Sequence, residues 1–479
     1  MNRRLNRRWI ETAVVLVCAA FALRSLGLID ATSLWSDELY SVGKSFQPSY
    51  ADLLAQLRQD THPPLYYSLL WLWGVVAGQS GLSLRFLSWL AYVAGGLLMT
   101  RQAWELAPPS QQRSALFLAA LMAFCSPYPL RFSIEGKSYA LLTALVALAW
   151  WWRQRRQPGL YGLAVLLASL THFYGLFLFA ATACWDAARH RTSLSAAAFL
   201  ALLPSIGWIA YAWKYLFGSS AAAWIGRPDF ALLEDTLARA LGPWPLPKLG
   251  VVLIFFWVLR RWGCQSACRD VEFFPRKALL DWSGVIPSTL MVIGVVAVSF
   301  VKPLAFSRYF VVLVPAFLPW LALQGAQLSL NKRGRRFSLI ALLLALGFCW
   351  WQGFEPLQAR GLDASREADN FRAVSQAAAG ESFRFAPRPR LFNLSDQMEQ
   401  AASRLPSLGG SWGDEDDLEE LLKQTPFPDV IWIAASGPES VMSSRLLPLN
   451  ALAESNDYQC QVKSKMPSFT RLLICQNAK

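Results

Sequence analysis

Apolar stretches long enough to cross a membrane recur along this sequence from the N-terminus to about residue 354. The hydrocarbon core of a bilayer is about 30 Å thick, and a helix needs about 20 mainly apolar residues to cross it. Of the 479 residues, 54% are hydrophobic and only 16% are charged, which is less charge than a soluble protein of this size carries. The sequence therefore predicts a polytopic α-helical membrane protein.

Basic residues give the chain a formal net charge of +13, but they do not form one patch. They lie in short clusters between the apolar stretches: Arg3, Arg4, Arg7 and Arg8; Arg153, Arg155 and Arg156; Arg260 and Arg261; Lys332, Arg333, Arg335 and Arg336. Membrane proteins retain Lys and Arg on the cytoplasmic side, so these clusters indicate inward loops. A nucleic-acid partner, which requires a concentrated basic surface, is therefore not predicted.

The basic clusters also set the orientation of the first segments. Segment 10–29 resembles a signal peptide, but it is too long for one and lacks a small-x-small cleavage site, so it is predicted to remain as an anchor. The N-terminus is then cytoplasmic, and residues 30–83 form the first outer loop. Segment 65–77 would be roughly 20 Å long as a helix, too short to cross the membrane, and we predict that it lies on the outer surface.

The remaining apolar segments complete about eleven predicted transmembrane helices. They are 84–104, 114–130, 138–152, 159–171, 173–187, 193–217, 246–260, 283–301, 308–329 and 337–354. Segments 159–171 and 173–187 are short, so the turn at His172 is predicted to lie below the outer surface. Non-helical backbone at that depth must be buried in protein or line a cavity.

The composition changes after residue 354, which divides the chain into a transmembrane domain, residues 1–354, and a C-terminal soluble α/β domain, residues 355–479. An acidic amphipathic helix is predicted over 414–422, and strands over 430–434 and 472–475. The alternation of spans places this domain outside the cell, where Cys460 and Cys475 could pair. The protein is thus predicted to be a multi-pass protein of the plasma (inner) membrane.

Two groups of polar residues lie in the first outer loop. Asp37 and Glu38 follow the first span between aromatic residues, and an acid partly removed from water can serve as a general base. The alternative is that one of them caps a short helix. His62 precedes Pro63 and Pro64, which are predicted to start the surface helix; it either contributes to a site or lies there incidentally.

Two further polar groups lie in outer turns of the predicted membrane domain. Arg131, Glu135 and Lys137 crowd into the turn before segment 138–152, where two cations could grip a phosphate. The alternative is that the cations extend to lipid headgroups. Arg308, which opens segment 308–329, faces the same two possibilities. An acid pair, a histidine and several cations on one face of the membrane suit a lipid-anchored phosphate substrate.

At these residues the sequence resembles the C-type membrane glycosyltransferases of the family 39-like group, which includes protein O-mannosyltransferases and lipid A aminoarabinose transferases. No single motif is specific, but the ordered set covers residues 30 to about 310. It consists of Asp37-Glu38, His62-Pro63-Pro64-Leu65, Arg85-Phe86-Leu87-Ser88, Glu135-Gly136-Lys137-Ser138-Tyr139, Thr171-His172-Phe173-Tyr174 and Arg308-Tyr309. One departure is Lys137, where many relatives have Arg, so that a point charge replaces a bidentate fork.

The resemblance implies a glycosyltransferase that uses a polyprenyl-phosphate sugar and inverts the anomeric carbon at the outer face. Asp37, with Glu38 beside it, would be the catalytic base. The implied residues that bind the carrier phosphate or sugar are His62, Arg131, Glu135, Lys137, Tyr139, His172, Tyr174, Arg308 and Tyr309. Cations can stabilise an anionic leaving group directly, so neither a metal site nor an essential divalent ion is expected. The sugar and the acceptor stay open.

Two other classes of function remain possible from the sequence. A lipid or sugar flippase or transporter also has many spans with embedded charge, but it should show an internal repeat or polar groups near the middle of several spans. The sequence has no evident repeat, and its polar groups gather at one face. The other alternative is a non-catalytic partner subunit of an envelope-polysaccharide assembly, with the outer domain as the binding part.

Overall fold

The computed structural model of the chain describes most of its first 328 residues and parts of the C-terminal region. The described residues are 2–31, 34–126, 131–218, 225–241, 276–328, 390–392, 411–413, 415–423, 430–436, 439–462 and 470–478. The predicted spans 246–260 and 337–354, and the predicted domain boundary at residue 354, lie outside these residues.

The first 328 residues are helical wherever the structure describes regular elements. The α-helices are α1 (Asn2–Leu28), α2 (Ser36–Ser45), α3 (Tyr50–Arg58), α4 (Leu65–Ala77), α5 (Gly81–Leu106), α6 (Gln112–Cys125), α7 (Tyr139–Gln154), α8 (Pro158–Thr171), α9 (Phe173–Ala188), α10 (Thr192–Tyr211), α11 (Trp213–Gly218), α12 (Phe230–Leu241), α13 (Arg276–Trp282), α14 (Val285–Ser299) and α15 (Val314–Leu328), with a 3₁₀ helix at Ser307–Leu313 before α15.

Four helical segments in the described part of the chain are long and apolar enough to cross a membrane: Ile10–Leu28, Gly81–Leu106, Thr192–Tyr211 and Ser307–Ala326. Shorter apolar helices lie between them, among them α6, α8, α9 and α14. The prediction of a polytopic helical membrane protein is confirmed. The count of eleven spans and the direction in which each one crosses stay predictions.

Helix α4 has the bounds that the sequence predicts for the surface helix, with Pro64 as its N-cap. Its 13 residues bury one side, including Tyr66, Tyr67 and Leu70, against α2, α3 and α5. Leu72, Val75 and Val76 on the other side are exposed. A short helix with one face on protein and an exposed apolar face suits the edge of a bilayer. Helix α4 thus supports α2 and α3, which precede it in the segment between α1 and α5.

The central helices pack closely because small residues occupy their contacts. A Cβ added to Gly95 of α5 would lie 2.9 Å from the Ala144 Cα of α7, closer than real contacts allow. Gly162 of α8 similarly lies against the backbone of Ala197 in α10. Small residues let transmembrane helices approach at backbone distance, where dispersion forces can hold them together in lipid.

Arg153, predicted to belong to a basic inward loop, lies instead in the last turn of α7 and is fully buried. Its guanidinium binds both carboxylate oxygens of Asp186, at 2.9 and 2.6 Å, and donates to the Asp281 backbone carbonyl at 2.9 Å. Arg191 donates to both aspartates, and the ring of Trp282 stacks over Arg153 and Arg191. This cluster ties α7, α9 and α13 together at the end of α7 farthest from Tyr139.

The described C-terminal segments contain the predicted helix and both predicted strands. The acidic helix is α16 (Glu415–Leu422), and the strands are β3 (Val430–Ser436) and β5 (Thr470–Asn477). The other elements are β1 (Arg390–Phe392), β2 (Ser411–Gly413), α17 (Glu439–Glu454) and β4 (Tyr458–Val462). Strand β5 lies between β3 and β4 and is antiparallel to both. Cys460 and Cys475 oppose each other in β4 and β5 and are joined by a disulfide.

Candidate active site

Glu38 is held in the segment between α1 and α5 by a buried ion pair. Its two carboxylate oxygens accept hydrogen bonds from Arg85 Nε and Nη2, each at 2.8 Å. Both residues are fully buried. The backbone N–H groups of Gly136 and Trp35 also donate to this carboxylate, at 2.8 and 3.3 Å. Glu38 therefore joins the start of α2, helix α5 and the turn that bears Lys137.

Arg85 extends this junction to the end of the first span by donating from Nη1 to the Ile29 carbonyl at 2.8 Å. A bidentate pair with further backbone bonds is the geometry that allows two charges to be buried together. The arrangement favours a positioning role for Glu38, which the sequence groups with Asp37 as catalytic. The catalytic assignments themselves stay predictions.

Asp37 differs from Glu38 because part of its side chain, 23%, remains exposed. Its carboxylate oxygen Oδ2 lies 2.7 Å from Arg308 Nη1, which belongs to the 3₁₀ helix far along the chain. The Arg308 guanidinium is also stacked over the rings of Trp35 and Phe306. A planar guanidinium held between aromatic faces keeps a fixed direction, so Arg308 is pointed at the acid.

The residue before Arg308 is fixed by a second polar contact, from α12. Ser307 accepts a hydrogen bond from Arg239 Nε at 2.6 Å and donates to Asp235 Oδ2 at 3.0 Å. Arg239 and Ser307 are buried, whereas Asp235 is partly exposed. These contacts hold the start of the 3₁₀ helix in place, and nothing in the spacing of the sequence indicates them.

The charges around Asp37 decide its protonation. Burial raises the pKa of the Asp37 carboxyl, but the positive charges of Arg308, Lys137, His62 and Lys44 outweigh burial and lower the pKa to about 2. The carboxylate is therefore ionised at every physiological pH. An anion that neutralised these cations would remove their effect and raise the pKa of this group.

Lys137 lies in the turn between α6 and α7, and its residue is only 5% exposed. Its backbone is fixed, because its carbonyl accepts from Ser88 Oγ at 3.2 Å. Within the residues that the structure describes, its ammonium has no hydrogen-bond or ion-pair partner. Burial lowers the pKa of this ammonium, and the nearby Asp37 carboxylate acts in the opposite direction. A buried cation without a partner is an incomplete site that an anionic ligand could complete.

Arg131 and Glu135 lie in the same loop as Lys137 and form an ion pair with each other. They are four positions apart, and Arg131 Nε lies 3.6 Å from Glu135 Oε2. Both side chains are buried. Burial raises the pKa of the Glu135 carboxyl above its usual range, although the charges of Arg131 and Arg308 oppose this. A carboxyl that is more easily protonated can donate as well as accept a hydrogen bond, which suits contact with a sugar or a phosphate.

An aromatic cluster surrounds His172 at the junction of α8 and α9. Its ring centroid lies 5.1 Å from that of Tyr309, 5.7 Å from Tyr174 and 5.9 Å from Tyr139. His172 Nδ1 accepts from the Tyr174 backbone N–H at 3.1 Å and thereby caps α9. The Tyr174 hydroxyl donates to the Leu304 carbonyl at 2.9 Å. Four predicted site residues thus lie in one cluster, next to Arg308.

His62 lies 5.8 Å from His172, measured between ring centroids. Its Nδ1 lies 3.3 Å from Asp60 Oδ2, and the same oxygen lies 2.8 Å from Lys44 Nζ. Lys44 is also stacked over the rings of Tyr40 and Tyr67. His62 therefore lies among charged and aromatic side chains, in addition to standing at the start of α4.

Sequence reasoning missed Lys44 and Asp60. Lys44 follows Asp37 by seven residues, which is two turns of α2, so both lie on one side of that helix. That spacing was the available signal. For Asp60, two positions before His62, the signal was a carboxylate within reach of an imidazole nitrogen.

The described residues contain no group of three or more His, Cys, Asp or Glu side chains that could hold a metal ion. They do contain a partly exposed carboxylate, that of Asp37, together with several buried cations and a cluster of aromatic rings. Such a set can bind an anion, lay a sugar ring against aromatic faces and accept a proton from a hydroxyl.

Comparisons with known proteins give a likeness in structure but not in sequence. No protein-family model matches the chain, and no curated protein matches it by sequence. The crystal structure of ArnT from Cupriavidus metallidurans in the apo state superposes with a TM-score of 0.56 at 11% identity, over 96% of this chain and 97% of that one. The same protein bound to undecaprenyl phosphate gives 0.51 at 13% identity, with the same coverage. The chain therefore has the C-type glycosyltransferase fold that the sequence predicts.

Proposed function

We propose that this protein is a glycosyltransferase that moves a monosaccharide from a polyprenyl-phosphate carrier to a lipid, glycan or protein acceptor at the outer face of the plasma membrane. The observation that carries the proposal is the pairing of a partly exposed carboxylate, Asp37, with Arg308, together with the buried Lys137, whose ammonium has no hydrogen-bond or ion-pair partner among the described residues. An acid and two cations in one place are what displacement of a phosphate by a hydroxyl requires.

In the proposed reaction, the acceptor hydroxyl donates its hydrogen bond to Asp37 and attacks the anomeric carbon from the face opposite the phosphate. The new bond joins the acceptor oxygen to that carbon, while the bond to the phosphate oxygen breaks with its electron pair. Inversion follows from this geometry. Lys137 and Arg308 stabilise the charge that develops on the phosphate, and for that reason we propose that no divalent metal is essential.

The arrival of the phosphate would also improve the base. In the free protein the cations hold the pKa of Asp37 at about 2, which makes the carboxylate a weak proton acceptor. A phosphate that binds Lys137 and Arg308 offsets their charge, so the pKa of Asp37 rises when the donor is in place. Coupling the strength of the base to the presence of the donor would restrict the reaction to the loaded site.

The structure of ArnT with undecaprenyl phosphate supports a polyprenyl phosphate as the carrier, because the two chains share a fold over nearly their whole lengths. The aromatic cluster around His172 offers faces for the sugar ring, with Tyr139, Tyr174 and Tyr309 as its walls. Arg131 and Glu135 would complete the polar side of the pocket.

Replacing Lys137 with Gln should weaken the binding of undecaprenyl phosphate by about 10–100-fold, since a hydrogen-bonded charge contributes about 1.5–3 kcal/mol. Lys137→Arg should retain most of the affinity, because the positive charge remains. The measurement is a binding titration of the purified protein in nanodiscs. Lys214→Gln, at an exposed cation in α11, is the matched control and should leave affinity unchanged. Equal affinities of wild type and Lys137→Gln would remove Lys137 from the phosphate site.

Cells that lack this protein should accumulate a polyprenyl-phosphate sugar and lose one glycosylated product, because the donor is made but not consumed. Lipid analysis by mass spectrometry of the deletion strain, compared with the strain complemented by the wild-type chain, gives the measurement and identifies the sugar. A flippase or transporter would instead leave the donor on the wrong face of the membrane. Addition of donor and acceptor to purified protein separates the two functions, since only a transferase forms product.

A further inference from the structure

Asp60 and His62 form a pair that the proposed reaction does not yet use. Asp60 Oδ2 lies 3.3 Å from His62 Nδ1 and 2.8 Å from Lys44 Nζ, and Asp60 is buried. Burial raises the pKa of the Asp60 carboxyl, but Lys44 and His62 lower it far more, so Asp60 stays ionised. An ionised carboxylate only accepts hydrogen bonds.

The contact with Asp60 favours one tautomer of His62. Thr61 Oγ1 also lies 3.2 Å from Nδ1, but a hydroxyl can donate or accept, whereas the carboxylate only accepts. We therefore expect the neutral imidazole to carry its proton on Nδ1 and a lone pair on Nε2. Within the described residues, Nε2 has no hydrogen-bond partner, and the side chain is 18% exposed. A carboxylate that orients the imidazole and leaves its far nitrogen open makes His62 a proton acceptor.

A chain of side-chain contacts links His62 to the residues around Asp37. Its ring lies 5.8 Å from that of His172 and 5.8 Å from that of Tyr67. His172 in turn contacts Tyr309, the neighbour of the arginine that binds Asp37. The positive charges near His62 are those of Lys44 from α2 and Lys137 from the turn before α7, and the negative ones are Asp60 and Asp37.

Such a group would complete the reaction, because a carboxyl returns its proton readily near neutral pH even when a bound phosphate has raised its pKa. The efficiency of a base is highest when its pKa lies near the working pH. Histidine is the side chain whose ordinary pKa lies there. Burial lowers the pKa of His62 below its ordinary value, and the Asp60 carboxylate offsets this only in part. A phosphate on the neighbouring cations would raise the pKa back towards that value.

We infer that His62, oriented by Asp60, receives from Asp37 the proton that the acceptor hydroxyl loses during transfer. The acceptor oxygen bonds to the anomeric carbon, and the carbon–oxygen bond to the phosphate breaks with its electron pair on the phosphate. The proton passes from the hydroxyl to the Asp37 carboxylate and then, through water, to His62 Nε2. The products are the glycosylated acceptor, a dianionic polyprenyl phosphate and an imidazolium, which later loses its proton to water.

This inference rests on the proposed function and goes beyond it by adding a second proton acceptor. The two can be tested separately because the chain has only three histidines, His62, His172 and His190. Histidine labelled with ¹³C and ¹⁵N gives three sets of ring signals from the full-length protein in nanodiscs. His62→Gln and His172→Gln assign the site signals. His190→Asn assigns the third, since His190 has a left-handed φ of 55° that Asn tolerates.

The ring signals are followed as a function of pH with and without undecaprenyl phosphate. The expected result is a His62 ring protonated at Nδ1 in the free protein, and a pKa that rises by about one unit when undecaprenyl phosphate saturates the site. In the Asp60→Asn variant, the neutral His62 ring should no longer prefer to carry its proton on Nδ1. His190 should titrate identically in both states.

The possible failures point to different parts of the mechanism. If undecaprenyl phosphate shifts the His172 signals in a saturable way but the pKa of His62 does not rise, the carrier binds and the role of His62 is overturned. A free-state His62 protonated at Nε2 overturns it as well. If undecaprenyl phosphate moves neither His62 nor His172, the carrier does not occupy this site and the proposed function itself fails.

Discussion

Asp37→Asn is expected to lower glycosyl transfer by about a thousandfold while the protein binds undecaprenyl phosphate as tightly as the wild type or more tightly. General-base catalysis contributes about 10²–10⁴-fold, and an amide of the same shape cannot accept the hydroxyl proton. Binding should survive because the substitution removes a negative charge next to Arg308 and Lys137, which then attract the phosphate without competition. The two measurements are a transfer assay and a binding titration on the same preparation.

Asp30→Asn is the matched control, because Asp30 lies exposed at the other end of the same loop segment and should behave as wild type in both assays. The pH dependence gives a further check on the assignment. In the free protein the pKa of Asp37 is lowered to about 2, so this group stays ionised from neutral pH down to strongly acidic conditions. An activity that Asp37→Asn retains in full would end the catalytic assignment.

Glu38→Gln is expected to destabilise the fold by about 3–5 kcal/mol, because it removes the carboxylate that neutralises the buried guanidinium of Arg85. The side chains of the pair are 0% and 1% exposed, so water cannot replace the lost carboxylate. The Gln amide also presents an N–H group where Arg85 and the Gly136 N–H need an acceptor. Thermal unfolding of the purified protein in detergent, followed by loss of monodisperse protein, measures the effect.

Glu105→Gln is the control for this substitution. Glu105 also pairs with two arginines, Arg101 and Arg155, but the side chains of these arginines are exposed to solvent. Exposed pairs contribute about 0–1 kcal/mol, so its unfolding temperature should stay near that of the wild type. The double variant Glu38→Leu with Arg85→Met removes both charges and should recover part of the stability. Equal unfolding temperatures for Glu38→Gln and Glu105→Gln would show that the buried pair does not hold the loop.

The sequence predicted the features that depend on local pattern. Hydropathy and length gave the bounds of α4, and the single break at His172 followed from two short apolar segments. The order of the motifs along the chain grouped Asp37 with Arg308, and the structure joins them at 2.7 Å. Each of these inferences used neighbouring residues, or the alternation of inner and outer loops.

The burial of Glu38 could not be predicted, because the arginine that pairs with it, Arg85, lies 47 positions away. Adjacent residues on a helix point in directions about 100° apart, so one can be buried in a clamp while the other faces the site. The sequence shows only two acids side by side. The bond from Arg153 to Asp281 spans 128 positions and was hidden for the same reason.

The buried cluster of Arg153, Asp186, Arg191 and Asp281 has a consequence for how a lipid could enter. It fastens three helices together at one end of α7, about 20 Å along that helix from Tyr139. Two arginines and two aspartates bound in this way cannot separate without exposing buried charge to lipid. Helices held together at that end can separate only at the other. In the proposed reaction, a long lipid would therefore be admitted, and the product would leave, at the end of α7 that bears Tyr139.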